Sequence, residues 1–129
     1  MTIKVYSKAK DGNKKLSTNF RVREFACLDG SDPIFIDSEL VTVLQKIRTH
    51  FGKPVTITSA YRTPPHNKSC GGTLYSQHLY GRAADIRVSD VSPKSVGAYA
   101  EKILRGGGIG IYDTFTHIDV RAEKSRWFG

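Results

Sequence analysis

The sequence predicts a small single-domain α+β fold, a central antiparallel sheet with two main helices. Three observations predict it. Two segments carry apolar residues at helical spacing. Four short runs rich in β-branched or apolar residues lie between and after them. The chain has 129 residues, enough for one domain with a real core. No repeat, low-complexity tract or linker divides it.

Residues 1–16 read as a basic N-terminal arm or an edge strand. Met1 to Tyr6 is the strand candidate, and Asp11-Gly12 is a turn signal. Phe20, Val22 and Phe25 begin the apolar pattern in a short helix or turn, and Asp29 to Pro33 is a loop. Asp37 to Phe51 is the clearest helix. Leu40, Leu44, Ile47 and Phe51 recur at intervals of four, three and four, one helical face. Asp37 can cap its first turn, with Glu39 near the positive dipole end. Gly52 and Pro54 end it.

Val55 to Ser59 then reads as a strand. Thr63-Pro64-Pro65 and Gly71-Gly72 bound a loop around Cys70. Ala83 to Val88 is a second strand. Ser92 caps the second helix and Pro93 takes its first position. Val96, Tyr99, Ala100 and Ile103 form its buried stripe, and Gly106-Gly107-Gly108 stop it. Ile109 to Tyr112 and Phe115 to Val120 are adjacent strands, with a turn near Asp113-Thr114.

Lys and Arg outnumber Asp and Glu by 20 to 12, a formal net charge of +8. A basic domain can bind nucleic acid, anionic membrane surfaces or other polyanions. Much of the excess lies in residues 1–25. There is no helix-turn-helix, zinc-finger spacing or aromatic-rich RNA-binding strand, so nucleic acid is not an expected partner. No apolar run approaches the ~20 residues that cross a membrane, so insertion is not expected. The Lys-rich N-terminus lacks the apolar stretch of a signal peptide. Two cysteines, Cys27 and Cys70, exclude a disulfide-stapled miniprotein; a single disulfide between them stays open, with free thiols as the default.

Four histidines remain to be placed. His50 ends the first helix, where the dipole favours a cation, and reads as structural or surface. His66 sits in a Pro-rich loop with no obvious partner. His78 and His117 differ in their company. The first lies in Ser76-Gln77-His78-Leu79-Tyr80-Gly81-Arg82-Ala83-Ala84-Asp85. The second lies in Phe115-Thr116-His117-Ile118-Asp119-Val120. A catalytic zinc usually takes three protein ligands from His and carboxylate, leaving a fourth position for water. Asp85 stands in a β-branched strand, where an acid is disfavoured unless paired. Asp119 alternates with His117 on one strand face. On spacing alone, a metal site and a buried His–Asp pair both stay open.

The pattern Ser-x-His-x-x-Gly-x-Ala-x-Asp, from Ser76 to Asp85, resembles the signature of the zinc D-Ala-D-Ala carboxypeptidase family, peptidase family M15. That family includes phage endolysins and murein endopeptidases. Ile57 to Arg62 looks like its strand ending in a Ser-Gly-Tyr-Arg type turn. Gly108 to Tyr112, Phe115 to Arg121 and Arg126-Trp127 look like the C-terminal block of its small members. The resemblance covers roughly residues 17–129, which it makes an M15-like zinc peptidase domain with the hedgehog/D-Ala-D-Ala carboxypeptidase-like fold.

Carried over residue by residue, the resemblance implies one zinc ion held by His78, Asp85 and His117. Gly81 and Ala83 would be small because backbone packs closely behind the metal. Arg62 would face the substrate, holding a carboxylate or the developing oxyanion, and Ser76 would help hold the peptide. One departure concerns the general base. Thr114 stands three residues before His117, where many members carry Glu or Asp, and Thr116 stands where others carry a second histidine. Asp113 and Asp119 are the candidates to accept the proton, and Asp119 could instead orient a ligand.

The implied reaction is hydrolysis of a peptide bond in bacterial peptidoglycan, as a D-Ala-D-Ala carboxypeptidase or a murein endopeptidase. The alternative is a catalytically impaired, zinc-containing cell-wall-binding module. Stem peptides are the expected partners, with anionic wall polymers drawn to the basic arm, and a monomer is expected. With no secretion signal, the expectation is synthesis in the cytoplasm and action at the wall, as a phage or prophage lysin or a virion-associated protein.

Overall fold

The structure is a computed structural model and describes residues 2–129. In chain order these form β1 (Ile3–Ser7), the single turn α1 (Lys8–Asp11), β2 (Lys15–Ser17), β3 (Phe20–Arg21), a 3-10 turn (Val22–Phe25), β4 (Pro33–Asp37) and α2 (Ser38–Phe51). Then come β5 (Val55–Ser59), α3 (Pro64–Ser69), a second 3-10 turn (Gln77–Tyr80), β6 (Ala83–Val88), α4 (Pro93–Ile103), β7 (Gly108–Ile111), β8 (Thr116–Asp119) and β9 (Ser125–Phe128).

The main sheet has the order β5-β6-β8-β7-β9. The first four strands are antiparallel neighbours, but β9 lies parallel to β7. The expected antiparallel sheet is therefore corrected to a mixed one. The chain leaves β8, passes the end of β7 and enters β9 in the direction of β7. Apart from this sheet, β1 pairs with β4 and β2 with β3. Residues 3–7 thus form a strand whose backbone is bonded to β4, from Ile3 opposite Asp37 to Ser7 opposite Pro33. Met1, included in the strand candidate from sequence, lies outside the described residues.

Both main helices form for local reasons and stay for tertiary ones. Asp37 accepts a hydrogen bond from the Glu39 amide at 2.9 Å, and Gly52 closes α2 in the left-handed conformation at φ 62°. Leu40, Leu44 and Ile47 are buried, and α2 packs on α4 and β6. Ser92 caps α4 through the Ser95 amide at 3.1 Å, with Pro93 in its first turn. Its Val96 and Ala100 are buried, while Tyr99 and Ile103 are partly so.

The core cluster takes Ala84, Ile86 and Val88 from β6, Ile109 from β7 and Ile118 from β8. Strand alternation then turns Asp85, His117 and Asp119 to the opposite face of the sheet. This separation places apolar burial on one face and chemistry on the other.

Two local readings are corrected. Thr63-Pro64-Pro65 starts a helix rather than a loop, because Thr63 caps it through the His66 amide and proline occupies the first turn. Gly81 is small for a different reason than expected. Its φ is +71° and a Cβ there would overlap the Phe35 carbonyl oxygen, so it is the docking of the second 3-10 turn on β4 that requires glycine. The Asp37 amide donates to the Gly81 carbonyl at 2.9 Å, closing that contact.

Candidate metal centre

Strand register builds the site. Asp85 of β6 lies opposite Ser59 of β5 and His117 of β8. His117 lies opposite Gly110 of β7, which lies beside Trp127 of β9. One row across five strands therefore reads Ser59, Asp85, His117, Gly110, Trp127. The neighbouring row contains Ala83, Asp119, Gly108 and Ser125. β7 contributes only glycine to this face. A Cβ on Gly110 would overlap the Trp127 ring, and one on Gly108 would overlap the Asp119 carboxylate. The Trp127 ring instead lies 5.0 Å from the His117 ring, centroid to centroid.

His78 arrives from the second 3-10 turn, where its own amide donates to the capping Ser76 hydroxyl. Its Nδ1–H donates to the Ala60 carbonyl at 2.7 Å. A carbonyl only accepts, so in the neutral ring Nε2 carries the lone pair. That Nε2 is 3.4 Å from Asp85 Oδ2. His117 Nδ1 is 3.0 Å from Asp85 Oδ1, and His117 Nε2 is 2.7 Å from Asp119 Oδ2. One ligand atom from each of His78, Asp85 and His117 lies within 4.8 Å of the others, and all three side chains are buried.

Burial pushes the Asp85 carboxyl up, but hydrogen bonds from His117 and His78 hold it well below the usual carboxylate range. Burial likewise raises Asp119, and its bonds to His117 and Arg121 more than offset that. For His117, burial disfavours the cation, while the bonds to Asp119 and Asp85 outweigh it and push the ring up. Two carboxylates thus bracket one imidazole.

Two imidazole nitrogens and a carboxylate oxygen converge, and each ring is fixed from behind, by the Ala60 carbonyl or the Asp119 carboxylate. This is the donor chemistry and outer support that a zinc-type ion requires, so the residues present fit such an ion.

The other expected site residues fall unevenly. Arg62 lines the same cleft, a space of about 460 Å³, as do Ser76, His78, Asp85 and His117. Each of its three nitrogens donates within the protein: Nε to Ser59 Oγ at 3.0 Å, Nη1 to Asn67 Oδ1 at 3.4 Å and Nη2 to Asp85 Oδ2 at 3.3 Å. Asp119 lies behind His117 with no exposed surface, which places it away from the cleft as a support for the ring. Asp113 is exposed in the turn between β7 and β8 and is not brought to the cluster.

His50 stacks on Tyr99 at 3.8 Å, joining α2 to α4. His66, with no partner visible from sequence, has Nε2 3.3 Å from Cys70 Sγ. Cys27 and Cys70 are both free thiols.

Three residues gain a place that sequence reasoning missed. Asn67 is buried and donates to the Thr73 carbonyl at 2.9 Å while accepting from Arg62. Tyr112 accepts from Trp127 Nε1 at 2.9 Å. Arg121 clasps Asp119 through Nε at 2.8 Å and Nη2 at 2.6 Å. Only the His-x-Asp-x-Arg alternation from His117 to Arg121 signalled the last of these.

Among the described residues no helix is long and apolar enough to cross a membrane. The probable peptidoglycan L,D-endopeptidase MepK of Haemophilus influenzae is 31% identical over 104 residues, which is 73% of this chain and 55% of that protein. The chain therefore spans about half the length of this curated relative. The family model described as Peptidase M15 matches residues 15–119. That span contains Arg62, His78, Asp85, His117 and Asp119, so the row built by β6 and β8 falls inside the matched region, and the chain belongs to the peptidase M15 family.

Proposed function

We propose that this chain is a zinc-dependent metallopeptidase that hydrolyses a peptide bond in bacterial peptidoglycan. The observation that carries the reading is the convergence of His78, Asp85 and His117 along a cleft. Membership of the M15 family and the likeness to a protein named as a peptidoglycan L,D-endopeptidase support it.

His78 through Nε2, His117 through Nδ1 and the Asp85 carboxylate would hold the ion. Bound there, zinc would supply Lewis acidity for the scissile carbonyl and a water of lowered pKa at neutral pH. Asp119 fixes the His117 ring with Nε2–H turned toward it, leaving Nδ1 for the centre. Arg62 is held over Asp85 by Ser59 and Asn67. Its remaining Nη hydrogens are the donors for charge that develops on the carbonyl oxygen. Ser76 lines the cleft beside His78 and contacts the peptide.

One observation favours a second reading. Among the described residues that line the cleft, Asp85 is the only carboxylate, and it is committed to both histidines. A zinc-containing wall-binding module with impaired catalysis fits that lack of a separate base.

Digestion of purified peptidoglycan by the zinc-loaded protein, followed by mass spectrometry, separates the two. New amino termini are the expected result, with loss of terminal D-Ala marking a carboxypeptidase and internal cuts marking an endopeptidase. Wall binding without new termini overturns the peptidase reading. Metal analysis should find about one zinc per chain, lost in His78→Ala and Asp85→Ala. Protein that takes up no zinc at neutral pH sinks both readings.

A further inference from the structure

Two guanidinium groups line the cleft, Arg62 and Arg121. They flank the cluster from opposite sides. Arg62 bonds to Asp85, and Arg121 bonds to Asp119 behind His117. Their donor inventories differ. All three nitrogens of Arg62 have protein partners. Arg121 uses only the edge formed by Nε and Nη2, both on Asp119. Among the described residues Nη1 has no hydrogen-bond partner, and the side chain is 30% exposed.

A guanidinium is a planar fork that can meet two carboxylates, one along the Nε–Nη2 edge and one along the Nη1–Nη2 end. Asp119 fills the first edge here. The group also lies 5.5 Å from the Trp127 ring centre, which fixes its plane. Arg121 is therefore oriented before any ligand arrives, so little rotamer freedom is left to lose on binding. The cleft has no other carboxylate than Asp85 among its described lining residues, so nothing in it competes for the free end of the fork.

We infer that Arg121 anchors a carboxylate of the substrate and so restricts the cleft to acidic peptides, an inference that rests on the peptidase reading of the cleft for its substrate class. A fork built for a carboxylate rejects the neutral amide, which lacks the charge and one acceptor oxygen. Arg121 then has two duties on its two edges. One holds Asp119 and through it His117, and the other selects the peptide.

The test compares a synthetic stem pentapeptide with free carboxylates against its fully amidated form, on the metal-loaded full chain. Binding is read from fluorescence of Trp127, the single tryptophan, and turnover from released amino groups. The acid should bind and react better by about tenfold or more. In Arg121→Gln the acid-to-amide ratio should fall to near one, and in Arg121→Lys it should fall partway, because the charge stays and the fork goes. A merely structural role lowers acid and amide alike and leaves the ratio intact. Equal binding of the two peptides by the unaltered protein overturns the inference, and so does a ratio that survives in both variants. If the unaltered protein binds the acid selectively but cleaves neither peptide, the peptidase reading fails while the anchor stands.

Discussion

Asp119 Oδ2 sits 2.7 Å from His117 Nε2, on the side of the ring away from Asp85, and the same carboxylate is held by the backbone amide, Nε and Nη2 of Arg121. With four donors around it and no exposed surface, it is proposed to act by positioning the His117 ring. Asp119→Asn should leave the fold in place and weaken metal affinity by about 10- to 100-fold. Competition with a chromophoric chelator measures this, and an unchanged affinity would show that the ring orients without it.

Gly110 is where β7 must stay bare. A Cβ there meets the Trp127 ring, so Gly110→Ala should displace the indole and cost about 1–3 kcal/mol. Denaturant unfolding gives the loss, and the emission of the single tryptophan reports the movement. Ile109→Val, on the core face of the same strand, is the control. It should cost about 0.5–1.5 kcal/mol and leave the emission alone.

Gly52 and Gly81 separate conformational strain from collision. Both have left-handed backbones, with φ of +62° and +71°. An added Cβ at Gly52 meets nothing within 4 Å, whereas at Gly81 it overlaps the Phe35 carbonyl. Gly52→Ala should therefore cost only the backbone term, about 1–2 kcal/mol. Gly81→Ala should cost clearly more and loosen His78 as well. Equal losses in thermal unfolding would remove the docking of the second 3-10 turn on β4 as the reason for glycine.

Asp29 carries a pH prediction outside the cluster of His78, Asp85 and His117. The Thr63 hydroxyl, then the Ser31 amide, hold its carboxyl well below the usual carboxylate range. A carboxyl lowered in the folded state stabilises above its unfolded value of about 3.9. That contribution is lost as pH falls from there through the folded value. Titration followed by carboxyl NMR should place the Asp29 midpoint low. Thr63→Ala should raise it toward the unfolded value, and Thr63→Ser should keep it low. A midpoint indifferent to both changes would remove the Thr63 bond as its cause.

Legibility followed locality. α2 and α4 announce themselves through caps and apolar spacing within one segment, and β5, β6, β7 and β8 through short runs bounded by breakers. β4 was not assigned because Ile34, Phe35 and Ile36 are an apolar run too short to declare a period. β9 escaped because its parallel partner β7 lies across a connection that sequence does not orient. The sequence around α3 reads as a loop because proline marks both loops and helix starts, and only the Thr63 cap decides between them. At the site, the Ser76–Asp85 pattern and the His117–Asp119 alternation named the side chains that the structure brings together. Asn67 carries no such pattern, since its partners are chosen by packing.

The sequence by itself determined the apolar faces of the two helices and which positions on β6 and β8 turn from the core, and its resemblance to a family supplied the expectation that His78, Asp85 and His117 come together. The faces and the alternation are properties of spacing within a segment, set by a helical repeat of 3.6 and a strand repeat of two. The tertiary structure alone decided how those atoms meet. Asp85 and His117 are 32 residues apart and touch at 3.0 Å only because β6 and β8 pair in one register. A slip of one residue would turn every side chain of a strand to the other face. That register puts Asp119 behind His117 and leaves Asp113 in an exposed turn, so the choice between two similar carboxylates was made by strand pairing.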